Sequence, residues 1–191
     1  MREIIIATNN THKVEEIRQV VKDKIKITSL KDLGFTQDIP ETGMTLKENA
    51  RQKARFIFDK FGKDCFADDT GLEVEALEGR PGVYSARYAG EKCSFEDNID
   101  LLLKEMKGKT NRKACFKTVI CLIEGGQERY FEGICNGNIT TEKYGNKGFG
   151  YDPVFIPEGY GESFAEMSGE EKNKISHRGK ATRELIKYLL G

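Results

Sequence analysis

The stretch from the N-terminus to Ser29 constrains the fold most. Arg2 to Ala7 is a short apolar run, read as a buried strand. Thr8-Asn9-Asn10-Thr11 follows, a polar turn suited to capping a helix. From His12 to Asp23 the apolar residues Val14, Ile17, Val20 and Val21 share one helical face, and Lys24 to Ser29 alternates as a second strand. Strand, tight turn, helix and strand make a βαβ unit. That unit sets the class as α/β.

The rest of the chain elaborates it. Residues 34–44 form a loop, and Thr45 caps a helix to about Phe61, with Glu48 in the capping-box position. The core stripe of that helix is Leu46, Ala50, Ala54, Ile57 and Phe61, with Lys53 beside it. Cys65 to Ala67 reads as a short strand ending in Asp68-Asp69-Thr70-Gly71, and Leu72 to Ala76 as a separate, half-buried strand. Gly79 to Gly82 reads as a loop. Ser94 opens a helix with Phe95, Ile99, Leu102, Leu103 and Met106 inward. Lys113 to Ile123 and Glu128 to Ile139 flank Gly125-Gly126 as a long hairpin. A glycine-rich loop, residues 144–153, precedes a strand from Val154 to Ile156. Ser168 to Ile175 is a short polar helix, and Ser176 caps the last one. The expected sheet is mixed and flanked by helices, its antiparallel part supplied by the hairpin.

Composition narrows the function. The 31 basic and 31 acidic side chains cancel to zero formal net charge, against the strong basicity of a dedicated nucleic-acid binder. No apolar run approaches ~18 residues, and the N-terminus has no secretory segment, so neither a membrane span nor export is expected. The 5 cysteines form no C-x-x-C pair and are odd in number, as expected of reduced thiols in a cytoplasmic protein. With only 2 histidines, zinc is not expected.

Four segments carry residues suited to chemistry. Thr8 to Lys13 places free backbone N–H groups, the positive end of a helix dipole and a lysine together, as in a phosphate cradle; the alternative is an ordinary βα turn with a solvated lysine. It lacks a Walker A pattern, so the chain is not a P-loop protein. Asp68-Asp69 sits at a strand end, where neighbours point to opposite sides and should do different jobs. Glu41 is a second carboxylate on a Pro/Gly loop, and such oxygens suit Mg²⁺ or Mn²⁺; the alternative is an Asp-rich turn. Gly148-Phe149-Gly150-Tyr151-Asp152 combines close backbone approach with a stacking face, or else anchors its Phe in the core. Lys172 with Ser176-His177-Arg178-Gly179 gathers a Lys, a His and an Arg around a helix start, or else presents solvated charges.

In this order and at these spacings, the segments resemble the inosine/xanthosine triphosphate pyrophosphatase family of house-cleaning nucleotide hydrolases. The resemblance covers nearly the whole chain. It is carried by Ala7 to Asn10 with Lys13; Glu41-Thr42-Gly43 with Asn49-Ala50 and Lys53-Ala54; and Ala67 to Leu72. It continues through Pro81 to Gly90, Gly148 to Phe155, and Lys172 with Ser176 to Gly179. The family's Ser after the Asp pair is Thr70 here, which keeps the hydroxyl.

The resemblance implies a single domain over residues 1–191, an elongated α/β fold of two lobes with the active cleft between them, a homodimer and Mg²⁺ dependence. It also implies cleavage of ITP, dITP or XTP between the α and β phosphates, giving a monophosphate and pyrophosphate. Carried over by position, Thr8, Asn9, Asn10, Thr11, His12, Lys13 and Lys53 hold the triphosphate, with Thr70 nearby. Glu41 and Asp69 belong to the metal site, with Asp69 as the base and Asp68 as the alternative. Phe149, Gly150, Tyr151, Asp152, Lys172, His177 and Arg178 surround base and sugar. Donors such as Arg178 would meet the 6-oxygen of hypoxanthine or xanthine but clash donor to donor with adenine. Two other readings stand beside this one. One is a septum-inhibitor-type enzyme acting on pyrimidine or modified nucleotides, the other a non-catalytic nucleotide- or RNA-binding module.

Overall fold

A computed structural model describes residues 2–191. The elements are β1 (Arg2–Ile6), α1 (Thr11–Val21), β2 (Ile25–Ser29), α2 (Leu46–Phe61), β3 (Cys65–Val74) and β4 (Pro81–Gly82). They continue with α3 (Phe95–Glu105), β5 (Lys113–Glu124), β6 (Gln127–Ile139), β7 (Phe155–Pro157), α4 (Gly169–Ile175) and α5 (His177–Leu190). The strands are hydrogen-bonded in the order β2-β1-β3-β5-β6-β7, with β4 on β3. The expected mixed α/β class is what the chain adopts.

The chain divides into two compact units. One comprises the residues through Asp69 with Thr118–Gly133 and Arg178–Gly191; the other comprises Thr70–Lys117 and Ile134–His177. In the first unit β1 pairs parallel with both β2 and β3. Ile4 and Ile6 pack with Val14 and Ile17 of α1 and Leu185 of α5, while Ile5 and Ala7 pack with Ala50, Ala54 and Ile57 of α2. Helices therefore cover both faces. That is why β1 reads as an unbroken apolar run rather than an alternation.

The second unit is antiparallel where β4 meets β3 and where β7 meets β6. From Ile134 to Ile139 strand β6 alternates exposed and buried residues, as a sheet with one wet face should. Its core joins Leu72, Val74, Phe116 and Ile139 to Ile99 and Leu102 of α3 and to Phe155 and Phe164.

Several local expectations need correction. Cys65 to Val74 is one strand, not two, because β1 takes its first half and β4 its second. Pro81-Gly82 is that short partner strand rather than a loop. The last strand begins at Phe155, a 3₁₀ turn over Asp152–Val154 having taken its expected start. Phe95, expected inward, is 45% exposed. The five cysteines form no disulfide, in line with the expectation of reduced thiols.

The first unit also carries a carboxylate with a pH-dependent contribution to stability. Glu128 accepts from Arg55, Arg51 and the Tyr130 hydroxyl, and these bonds lower its carboxyl from 4.5 to about 2. A lowered native value favours the charged form in the fold. This stabilisation is complete above the ordinary carboxylate value and lost as pH falls from 4.5 to about 2. Glu128→Gln should flatten the decline of Tm in that window, followed by circular dichroism. An unchanged pH profile would show that the network contributes nothing.

Candidate active site

The first unit assembles its charged centre at the end of β1 and the middle of β3. Asn10 caps α1, its side chain accepting from the Lys13 backbone, and the Thr8 hydroxyl accepts from Asn10 N–H at 3.2 Å. The turn thus holds Lys13 in the first turn of a helix with no acidic residue there. Thr11 and His12 are exposed in that turn, and Asn9 donates to the Gln37 carbonyl at 3.0 Å.

Strand alternation separates the two aspartates. Asp68 is fully buried and meets Lys13 Nζ at 3.0 Å and Arg178 Nε at 3.3 Å. Burial works against its charge, yet Lys13, Arg178 and Lys53 outweigh that and hold its carboxyl far below the ordinary carboxylate range. Asp69 turns to other partners: Asn49 Nδ2 donates to it at 3.2 Å and Lys53 Nζ at 3.3 Å. Here burial prevails, and the Asp69 carboxyl lies above its ordinary value, with Glu41 and Asp68 adding to the rise. The strand period thus sends the two neighbours to largely different partners.

Helix α2 delivers the remaining groups. Thr45 and Glu48 form the expected capping box. Gln52 accepts from Thr42 N–H at 2.9 Å, and Asn49 Oδ1 accepts from Gly43 N–H at 2.8 Å. A Cβ on Gly43 would lie 2.8 Å from that same amide oxygen, so only glycine lets the loop come this close. The pinned loop brings Glu41 onto Lys53, whose ammonium bonds both Glu41 and Asp69. Despite burial, these carboxylates hold Lys53 above its ordinary value. Glu41 and Asp69 thus converge on one cation. Two hard oxygen donors of this kind suit a divalent ion that takes its other ligands from water and phosphate. No group of three or more His, Cys, Asp or Glu placed to hold a metal ion occurs among the described residues.

The second unit builds the aromatic group. Gly148, at φ +72, leads into Phe149, and a Cβ on Gly148 would strike the Asp152 carboxylate. Asp152 is 2% exposed and accepts from Phe149 N–H at 2.9 Å and Lys172 Nζ at 2.6 Å. Lys172 Nζ also lies 5.1 Å from the Phe149 ring centre. Gly150 follows at φ +60, and the buried Tyr151 donates its hydroxyl to the Ser85 carbonyl at 2.8 Å. His177 stacks on Phe116, ring centres 4.5 Å apart and 12° from parallel.

The Lys172–Arg178 segment therefore serves different partners. Lys172 and His177 join the aromatic group. Arg178, expected at the base, spends its guanidinium on Asp68 and Glu16. None of the three is a solvated surface charge, since each is at most 5% exposed. Thr70 is half-buried one residue past Asp69. Sequence reasoning gave no role to Glu16 or Asn49. Glu16 sits one helical turn past Lys13, a spacing that could have flagged it.

A mixed sheet, a buried carboxylate–ammonium centre at a βα turn and a glycine-flanked phenylalanine together characterise this α/β protein. The chain belongs to the Ham1 family, whose model matches residues 4–188. It is 56% identical to a protein of Flavobacterium psychrophilum named dITP/XTP pyrophosphatase, over 97% of this chain and 98% of that one. It is 52% identical to a Porphyromonas gingivalis protein of the same name, over 100% and 98%. The solved Ham1 protein of Staphylococcus aureus superposes with a TM-score of 0.89 at 40% identity, covering 100% of this chain and 99% of that one.

Proposed function

We propose that this chain hydrolyses non-standard purine nucleoside triphosphates, dITP, ITP and XTP, to the monophosphate and pyrophosphate, removing deaminated purines from the nucleotide pool. The observation that carries the chemistry is the division of labour at β3. Asp68 is locked in ion pairs, whereas Asp69 keeps a raised carboxyl beside Lys53 and Glu41. In this reading Asp69 takes a proton from water as the water oxygen bonds to the α-phosphorus. The bond from that phosphorus to the α,β-bridging oxygen breaks, and pyrophosphate leaves with the electron pair. Lys13, Lys53 and the N–H groups of the α1 turn hold the phosphates and stabilise the charge on the leaving group. Mg²⁺, held by Glu41 and Asp69, would supply further neutralisation of phosphate charge.

Phe149 offers its ring to the base, with Gly150 and Tyr151 shaping the loop and Asp152 and Lys172 fixing it. His177 closes the aromatic group, while Arg178 acts on the phosphate side by keeping Asp68 ionised. The family resemblance further supports a cytoplasmic homodimer. Sedimentation equilibrium at micromolar concentration checks the dimer, and a particle of 21.6 kDa would count against it.

The deciding experiment incubates the protein with Mg²⁺ and dITP, XTP, dGTP or dATP and identifies the products. Pyrophosphate and monophosphate from dITP and XTP, with little from dATP, is the expected result. Release of orthophosphate would overturn the α-phosphate attack, and equal turnover of dATP would overturn the base preference.

A further inference from the structure

We infer that the first turn of α3 braces the glycine-rich loop, and that Phe95 is a positioning residue for base recognition, acting through Phe149. This rests on the reading that Phe149 contacts the base.

The helical period places Phe95 on the inward face of α3, yet it remains 45% exposed, so its ring is not there to fill the core. Its ring centre instead lies 5.9 Å from that of Phe149, at 48° between planes, a tilted aromatic contact. The turn that presents it is capped. Ser94 and Asp97 form a capping box, with Asp97 N–H donating to Ser94 Oγ at 3.1 Å. A second tether joins the same two segments. Lys143, just before the loop, bonds Glu96 in that turn and Asp100 one turn on, the latter at 2.6 Å.

Phe149 is also held by Asp152 of the loop and Lys172 of α4. Its N–H is held by Asp152, and Lys172 lies within cation–π distance of its ring. The Phe149 backbone is bonded to Asp152, whereas Lys172 and Phe95 lie against its ring. Removing Phe95 frees the ring without touching the charged groups.

The test is steady-state kinetics on dITP with wild type, Phe95→Ala, Phe95→Tyr, Phe149→Ala and the Phe95→Ala/Phe149→Ala double variant. Phe95→Ala should raise KM about two- to tenfold, the worth of one aromatic pair, and leave kcat within about twofold. Phe95→Tyr, which keeps the ring, should restore wild-type KM, and the double variant should be no worse in KM than Phe149→Ala alone. If Phe149→Ala raises KM but Phe95→Ala does not, the brace is wrong and the base contact stands. If Phe95→Ala raises KM equally in both backgrounds, Phe95 acts by another route and the inference fails. If Phe149→Ala leaves KM unchanged, the base-contact reading itself fails and the inference with it. Should Phe95→Ala fold poorly by circular dichroism, Phe95→Leu replaces it with the same expectations.

Discussion

Asp69→Asn is expected to lower kcat on dITP by about 10²- to 10⁴-fold, the usual worth of a positioned general base. The change keeps the size of the side chain and removes its ability to take a proton. Asn49 and Lys53 stay within reach of a neutral amide, so the fold should persist and nucleotide should still bind. Calorimetry with dITP, which the variant would turn over slowly, checks the binding. A kcat within tenfold of wild type would remove Asp69 from the role and return Asp68 to it. A non-catalytic binder would have no turnover to lose, so the same variant separates that reading as well.

The neighbouring aspartate should behave in the opposite way. Asp68→Ala leaves the ammonium of Lys13 and the guanidinium of Arg178 without the carboxylate that both contact. Asp68 is 0% exposed and Arg178 2%, so water reaches this site poorly. Stranding buried charge in this way costs about 3–5 kcal/mol. Chemical denaturation should show the loss as a lower midpoint with an unchanged slope. Wild-type stability in Asp68→Ala would mean that the pairing contributes little. Together the two variants predict that one aspartate governs rate and its neighbour governs the fold, although a single peptide bond joins them.

Local chemistry made much of this structure legible in the sequence. The capping turn over residues 8–11, the Thr45/Glu48 capping box and the Gly125-Gly126 hairpin depend on residues a few positions apart, and each formed as expected. The alternation that separates Asp68 from Asp69 is also a short-range property of a strand. The errors came where distant chain segments decide the outcome. Whether Cys65 to Val74 is one strand or two depends on β1 and β4 as partners. Arg178 likewise meets carboxylates far away in sequence, contacts that no local pattern shows. Phe95 fits the helical period and is nonetheless drawn to Phe149, a contact that periodicity cannot encode. The functional segments are legible only through their combined order, since each is individually compatible with an ordinary turn or surface.

The division of the chain into interleaved units has a consequence for how the protein is made. Arg178 follows Asp68 by 110 residues, and the first unit takes in Arg178–Gly191. At about 5–20 residues per second, a ribosome delivers Arg178 roughly 5–20 s after Asp68. Throughout that interval Asp68 has Lys13 available but not its guanidinium. The carboxylate that the finished fold buries at Asp68 thus lacks one of its two cationic partners in the nascent chain, and the first unit cannot complete this centre until synthesis reaches α5. The charged centre is thus completed only once α5 begins to be made.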